Sequence, residues 1–239
     1  MGQSYFIWKG IDCRSMGVRL AGPVPIVRPE ERVNHVQIPG RSGDMTELEG
    51  ENIYNSYIQT ATLLVKGGFH VRDVYKWLRG SGYVTFSGEA DRRQPARIIG
   101  AITLDKHSPN LDWWEGEIQF YCQPLKEKLQ TETETVTTSG TDVINTGDVR
   151  SKPKITATAS GTSMTIAAGD NSLTITGLTS GKDYVIDSET MEVSLTESGT
   201  TTLLTANSSG DFPELDPGAN SVTGSGWSSL VIEKRERFL

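Results

Sequence analysis

Short alternating segments separated by turn residues constrain this chain more than any other feature of its sequence, and they are clearest after residue 130. Segments such as Leu173–Thr176 and Asp183–Ile186 place apolar side chains at every second position, and Gly, Asp and Ser residues separate one segment from the next. Alternation with period two is typical of half-buried antiparallel strands. Several short strands at this spacing predict a β-sandwich, and residues 131–239 contain no readable helical pattern.

Composition sharpens the contrast between the two halves of the chain. Residues 131–239 include 21 Thr and 15 Ser, yet Ile, Val and Leu recur too regularly for a low-complexity linker. A Thr- and Glu-rich stretch follows Pro124 and leads from one half into the other. We therefore predict two domains, residues 1–130 and 131–239.

The first half reads as strands with one helix. Apolar residues of the segment Val71–Arg79 fall at helical spacing, Asp73 lies in the first turn, and Gly80 supplies a stop signal. The predicted strands are Ser4–Trp8, Met16–Leu20, Arg32–Ile38, Ser56–Val65, Tyr83–Ser87, Ala96–Leu104 and Trp114–Cys122. The sequence as a whole thus predicts a mainly β protein, with a single α-helix in its N-terminal domain.

A long polar segment separates two of these strands. We expect Arg32–Ile38 and Ser56–Val65 to pair as antiparallel strands, joined by a loop that contains the acidic stretch Met45–Asn52. Loops of this length are usually functional or disordered. The acidic stretch can be interpreted as a solvated loop or as an arm that faces a partner.

The charge distribution argues against bulk binding of nucleic acid. The net charge is −7 overall, and it divides into +1 for residues 1–130 and −8 for residues 131–239. Nucleic-acid binding draws on clustered Lys and Arg. The tight basic pair Arg92–Arg93 lies beside Pro95 and indicates a solvated turn rather than a phosphate site.

The sequence contains no recognisable catalytic or cofactor-binding motif. Cys13 and Cys122 are far apart in sequence and predict two separate reduced thiols, and none of the three histidines lies at metal-ligand spacing. Dinucleotide, phosphate-loop and nucleophile-elbow motifs are missing. A Ser42–His35 pair, and calcium or sugar hydrolysis at the acidic loop, are weaker interpretations than a solvated or partner-facing segment. We expect no catalytic activity and no cofactor.

No targeting or membrane segment is expected either. No apolar run approaches the roughly 20 residues that a membrane-spanning helix needs. The N-terminal residues lack the basic start and the apolar length of a secretory signal.

Long motifs in both halves resemble one protein family. In the first half they are FIWKGIDCRSMGVRL at Phe6–Leu20, VPIVRPEERVNHVQIPGRSGDMTELEG at Val24–Gly50 and IYNSYIQTATLLV at Ile53–Val65. In the second half they are NTGDVRSKPKITATASG at Asn145–Gly161, KDYVIDSETMEV at Lys182–Val193 and SGDFPELDPGANSVTGSG at Ser209–Gly226. Together these motifs resemble the distal tail proteins of siphophages, in the right order along nearly the whole chain.

The resemblance implies a structural protein of the virion tail. It implies that the N-terminal domain forms a homo-hexameric ring and that the C-terminal domain is a galectin-like sandwich outside the ring. The implied partners are the tail tube protein, the end of the tape measure, the tail-tip protein and, in many phages, receptor-binding proteins. The genome would pass through the lumen without specific binding, so we expect neutral or acidic side chains there. Assembly would take place in the cytoplasm of the infected bacterium, without membrane insertion.

The acidic stretch and its basic neighbours are the predicted subunit contact. A closed ring needs heterologous contacts, and an acidic arm beside arginines can supply opposite charges across an interface. The candidate residues are Arg28, Arg32, Arg41, Glu47, Glu49 and Glu51. The alternative function is a carbohydrate-binding module, in which Trp227 or the pair Trp113–Trp114 would stack on a sugar. A tail-associated hydrolase is disfavoured by the missing catalytic residues.

Overall fold

The structure is a computed structural model, and it describes residues 4–48, 50, 52–67, 71–108, 111–197 and 199–239. The chain divides into two compact units, Met1–Leu129 with Leu239 and Gln130–Phe238. Among the described residues, the single α-helix is α1, Val71–Trp77, which lies in the first unit. The predicted mainly β class is therefore confirmed.

The first unit contains eleven strands and two short 3-10 helices among its described residues. The 3-10 helices are Cys13–Met16 and Ser87–Glu89. The strands are β1 Phe6–Trp8, β2 Ile11–Asp12, β3 Val18–Leu20, β4 Val33–Val36, β5 Met45–Leu48, β6 Tyr57–Lys66, β7 Ser81–Phe86, β8 Arg92–Ile99, β9 Leu104–Ser108, β10 Leu111–Cys122 and β11 Lys126–Lys128.

An antiparallel sheet with the strand order β2-β1-β7-β8-β10-β6-β3 forms the body of this unit. Its longest ladder joins β10 to β6, from the pair Trp113–Lys66 to the pair Cys122–Tyr57. Side chains alternate across this ladder, because Ile118 and Phe120 are buried and the intervening residues are not. On the opposite edge of β10 from β6, β9 pairs with the beginning of the strand and β8 with its end. Strand β11 pairs with β8.

An aromatic cluster fills the core beneath the buried face of this sheet. Phe120 has its ring centroid 5.6 Å from those of Phe6, Trp8 and Phe86, and Trp77 of α1 stacks on Phe6 at the same distance. The Trp77 indole also donates a hydrogen bond to the carbonyl oxygen of Trp8, 3.2 Å away. A helix of seven residues is marginal alone, so this packing holds it in place.

The structure corrects several details of the first half. Arg92 and Arg93 are half-buried residues of β8 rather than a solvated turn, and the predicted strand Ala96–Leu104 is divided between β8 and β9. The helix ends at Trp77 rather than Arg79, and Gly80 follows with a positive φ of 73°. The predicted pairing of Arg32–Ile38 with Ser56–Val65 is wrong, because β4 pairs with β5 in a separate two-stranded sheet. A turn at residues 37–44 closes this local hairpin, so part of the predicted acidic loop is a strand.

The second unit consists of strands and one 3-10 helix, Thr205–Asn207, among its described residues. The strands are β12 Thr133–Val136, β13 Thr141–Asn145, β14 Lys154–Ala159, β15 Ser163–Ala168, β16 Asn171–Thr176, β17 Asp183–Asp187, β18 Glu192–Glu197, β19 Thr200–Leu203, β20 Ser208–Gly210, β21 Gly218–Ser225, β22 Trp227–Glu233 and β23 Arg237–Phe238.

Two antiparallel sheets enclose the core of this unit. The six-stranded sheet has the order β12-β22-β14-β17-β18-β19, and the five-stranded sheet has the order β13-β21-β15-β16-β20. One buried cluster draws Ile155 and Ile186 from the first sheet and Ile166 and Leu173 from the second. The predicted β-sandwich is thus confirmed, and its alternating Ile, Val and Leu residues are the inward-facing side chains.

Candidate subunit interface

A β-hairpin arm, residues 30–55, contains most of the residues predicted to make the subunit contact. Strands β4 and β5 form its ribbon, and a bridge between Glu31 and Tyr54 closes its base. Two backbone hydrogen bonds flank this bridge: the Arg32 amide donates to the Ile53 carbonyl oxygen, and the Asn55 amide donates to the Glu30 carbonyl oxygen. The base of the arm is therefore tied, and beyond it β4 and β5 form a separate two-stranded sheet.

Both faces of the ribbon expose apolar side chains. The register pairs Val33 with Leu48 on one face and Val36 with Met45 on the other. Leu48 is 63% exposed and Met45 is 41% exposed. An isolated two-stranded ribbon is marginally stable in water, and clustered exposed apolar residues mark interaction sites. The arm is therefore the strongest candidate in this unit for contact with another molecule.

The structure describes four of the six predicted contact residues. Arg28 precedes the arm, Arg41 lies in its turn, and Glu47 lies on β5 opposite Asn34; all three are exposed. Arg32, at the base, donates from Nε to Oδ1 of Asn55 over 3.2 Å. The remaining two, Glu49 and Glu51, lie outside the described residues.

Glu47 is not joined to Arg28 or Arg41 within the part of the chain that the structure describes, because it forms no ion pair with either arginine. The role of the predicted residues in a subunit contact stays a prediction.

Sequence reasoning missed an exposed row of side chains on the other surface of the main sheet. The register places Ser81, Arg97, Tyr121 and Ile58 side by side across β7, β8, β10 and β6. Tyr83 lies two residues along β7, and the Arg93 guanidinium stacks on its ring at 4.4 Å. The alternation of β10 indicated that Tyr121 faces outward, but its neighbours come from strands that only the fold aligns.

A buried polar cluster lies in the same unit. Tyr57 donates a hydrogen bond to Gln94, which donates in turn to the carbonyl oxygen of Gln123. Burial raises the pKa of Tyr57 to about 12, although the hydrogen bond to Gln94 works in the opposite direction. Lys126 pairs with Glu89 at 2.7 Å beside a cavity of about 20 Å³. That volume suits one water molecule.

The two thiols are buried and chemically quiet. Cys13 and Cys122 are both free cysteines with no exposed surface. Burial raises the pKa of both thiols, that of Cys122 to about 12. A thiolate is the reactive form, so neither side chain is arranged as a nucleophile. The described residues contain no cluster of three or more His, Cys, Asp or Glu side chains suited to a metal ion.

Comparison with known proteins supplies the decisive observation. The family model of the siphovirus-type tail component, C-terminal domain, matches residues 146–238. The second unit is a siphovirus-type tail component domain. The resemblance to siphophage distal tail proteins that the sequence predicts is thereby confirmed. No curated protein matches the chain.

Solved structures agree with this family for the fold of the whole chain. One similar structure is described as the crystal structure of the Dit protein of phage SPP1, a paradigm of the hub adsorption apparatus in phages that infect Gram-positive bacteria. It is 19% identical, with a TM-score of 0.79, and the match covers 100% of both chains. A baseplate structure of phage P2 in its activated conformation is 9% identical, with a TM-score of 0.50 over 100% of both chains.

The tail component domain does not offer Trp227 to a sugar. This side chain is only 9% exposed, and its indole Nε1 donates to the carbonyl oxygen of Thr165 over 3.2 Å. A ring that packs in the sandwich core cannot also stack on a saccharide, so this part of the carbohydrate-binding alternative is wrong. In the first unit, Trp114 packs against the core and Trp113 is half-buried beside Arg19.

Among the described residues, no helix is both long and apolar enough to cross a bilayer.

Proposed function

We propose that this chain is a tail-hub subunit that forms a hexameric ring at the distal end of a siphophage tail. The ring joins the tail tube to the tail tip or baseplate and to the adsorption apparatus. The observation that carries the proposal is the tail component domain at residues 146–238, in a chain whose whole fold matches a hub protein. We assign ring formation to residues 1–130 and an outer, galectin-like position to residues 131–239.

The arm supports a ring because it exposes apolar and charged side chains on a two-stranded ribbon. In a closed ring each subunit presents one patch to the next subunit and a different patch to the previous one. We propose that Glu47, Glu49 or Glu51 of one subunit meets arginines of its neighbour. Each exposed ion pair contributes about 0–1 kcal/mol, so these charges set the register of the contact more than its affinity.

Light scattering and electron microscopy of the purified chain test the ring. We expect a particle mass near that of six subunits and a ring with an open centre. A protein that stays monomeric at every concentration contradicts the proposal. A lectin, by contrast, would bind saccharides on a glycan array as a smaller particle.

Charge reversal tests the role of the arm. Replacement of Glu47, Glu49 and Glu51 by Lys should weaken assembly, because like charges would then face the neighbour's arginines. A matched control reverses three acids of the second unit, Asp170, Asp211 and Glu192, and should leave the ring intact. An unchanged ring in the arm variant would refute the predicted contact.

The remaining proposals concern partners and location. We propose that the ring binds the tail tube protein, the tape-measure end and the tail-tip protein, with a receptor-binding protein as a further partner in the virion. We also propose that assembly takes place in the bacterial cytoplasm. The lumen should carry neutral or acidic side chains, because a basic lining would hold the genome.

A further inference from the structure

The exposed row on the main sheet has the chemical character of a protein interface. We define the Tyr/Arg patch as Ile58, Tyr83, Arg93, Arg97 and Tyr121. Ile58 is 53% exposed and Tyr121 is 40% exposed, and the two are direct cross-strand partners on β6 and β10. Tyr and Arg are enriched in the energetically dominant residues of interfaces, where large side chains bury much area at low entropic cost.

The patch also carries an unbalanced positive charge. The Arg93 guanidinium is already paired with Glu127 at 3.1 Å. Arg97 lies between Ser81 and Tyr121 in the row and is exposed, and no described residue forms an ion pair with it. An occupant of this patch should therefore combine apolar side chains with a carboxylate.

The arm has this combination. Residues 30–55 contain six acids and two arginines, so the arm has a net charge of −4. Met45 and Glu47 of β5 lie on one face of the ribbon together with Val36 of β4, and all three side chains are exposed. The base of the arm lies directly before β6, so the arm and the patch belong to the same unit. The arm is acidic, whereas the patch carries Arg97, which has no ion pair among the described residues.

We propose that the arm of one subunit docks on the Tyr/Arg patch of a second copy of this chain. In this contact Met45 and Val36, which share one face of the ribbon with Glu47, pack against Tyr121 and Ile58, and Glu47 pairs with Arg97. This inference rests on the proposed ring and names its acceptor surface. The contact is heterologous, as a closed ring requires, because the donor and the acceptor are different patches of one chain.

Engineered cysteines test the contact in the full-length chain. The native thiols are buried, so a short bismaleimide will react with cysteines introduced at exposed positions. The variant with Met45→Cys and Ile58→Cys should form a ladder of covalent oligomers that ends at the hexamer. The control combines Met45→Cys with Tyr75→Cys, an exposed residue of α1, the helix that packs on the buried face of the sheet. It should give no ladder.

Light scattering on the same samples separates the two proposals. A hexamer without a ladder overturns the docking site but not the ring, and a monomer overturns both. A ladder of equal strength in the control also overturns the docking site, because the cross-links would then be non-specific. A ladder in the first variant alone supports it.

A charge exchange tests the ionic part of the contact. Arg97→Glu and Glu47→Arg should each weaken assembly, and the double variant should restore it. Tyr121→Ala should weaken assembly by about thirtyfold in the apparent dissociation constant if Tyr121 is a central contact. Single variants that assemble like the parent protein, or a double variant that is no better than either single variant, would refute the pairing.

Discussion

The aromatic cluster of the first unit makes a sharp prediction about two adjacent residues of β10. Phe120 is fully buried, with its ring 5.6 Å from three other aromatic rings, whereas Tyr121 points to the opposite face and is 40% exposed. Replacing Phe120 by Ala removes a large buried side chain and leaves a cavity in a close-packed core. Such a change costs about 3–5 kcal/mol of the free energy of unfolding.

The same change at Tyr121 should cost much less. Its ring is bounded by solvent on one side, and a surface substitution away from special features usually changes stability by about 0.5 kcal/mol or less. The two residues are on the same strand, are similar in size and receive the same replacement. The difference in stability between the two variants therefore measures the effect of lying on the buried rather than the exposed face of the sheet. Phe120→Leu should fall between the two, because it keeps most of the buried volume.

Urea unfolding followed by tryptophan fluorescence measures the difference, since Trp8 and Trp77 lie in the affected core. All variants must be compared at a protein concentration at which each is monomeric, because assembly would raise the apparent stability and Tyr121 belongs to the proposed contact. The reasoning is refuted if Tyr121→Ala destabilises the protein as much as Phe120→Ala does. A loss below about 1 kcal/mol for Phe120→Ala would equally refute the buried position of its ring.

Three further predictions concern other parts of the chain. Burial alone would raise the pKa of Asp187, but the bidentate Arg235 guanidinium and two backbone amides hold it below its usual value. Asp187→Asn should thus lower stability by about 1.5–3 kcal/mol at neutral pH, and in the parent protein this contribution should fade as pH drops through the lowered pKa. Thiol reagents at pH 8 should label neither Cys13 nor Cys122 until the protein unfolds, since burial raises both pKa values; rapid labelling of the native protein would contradict this. Gly226→Ala should destabilise the second unit in thermal melts, because φ is +80° and the added Cβ would lie 2.1 Å from a carbonyl oxygen.

Local patterns predicted the parts of the fold that depend on neighbouring residues. The alternation of β10 correctly assigned Ile118 and Phe120 to one face and Glu117 and Tyr121 to the other, because burial of one face sets the period of a strand. The helix began at the predicted Val71, because its apolar residues recur at helical spacing.

Strand pairing could not be predicted in the same way. The segment Arg32–Ile38 was compatible with either of two partners, and its own alternation did not distinguish them. The dense turn signal at Pro39–Asp44 decides in favour of the nearby β5, because a short loop costs less entropy to close than a long one. The Tyr/Arg patch was hidden for a related reason: Arg97, Tyr121 and Ile58 become neighbours only when three strands take their register.

The composition of the arm indicates how much ion pairs and apolar contacts would each contribute to the free energy of assembly. An exposed ion pair contributes about 0–1 kcal/mol, whereas full burial of a Val or Met side chain contributes about 1.5–3 kcal/mol. Met45 and Val36, on the same face of the ribbon as Glu47, still expose much of their surface, so together they can supply more affinity than Glu47 can. The net charge of −4 on the arm works against arm-to-arm association in the free subunit, because like charges repel. On this view the carboxylates select the acceptor and the apolar pairs hold it, and salt should slow ring formation more than it weakens the finished ring.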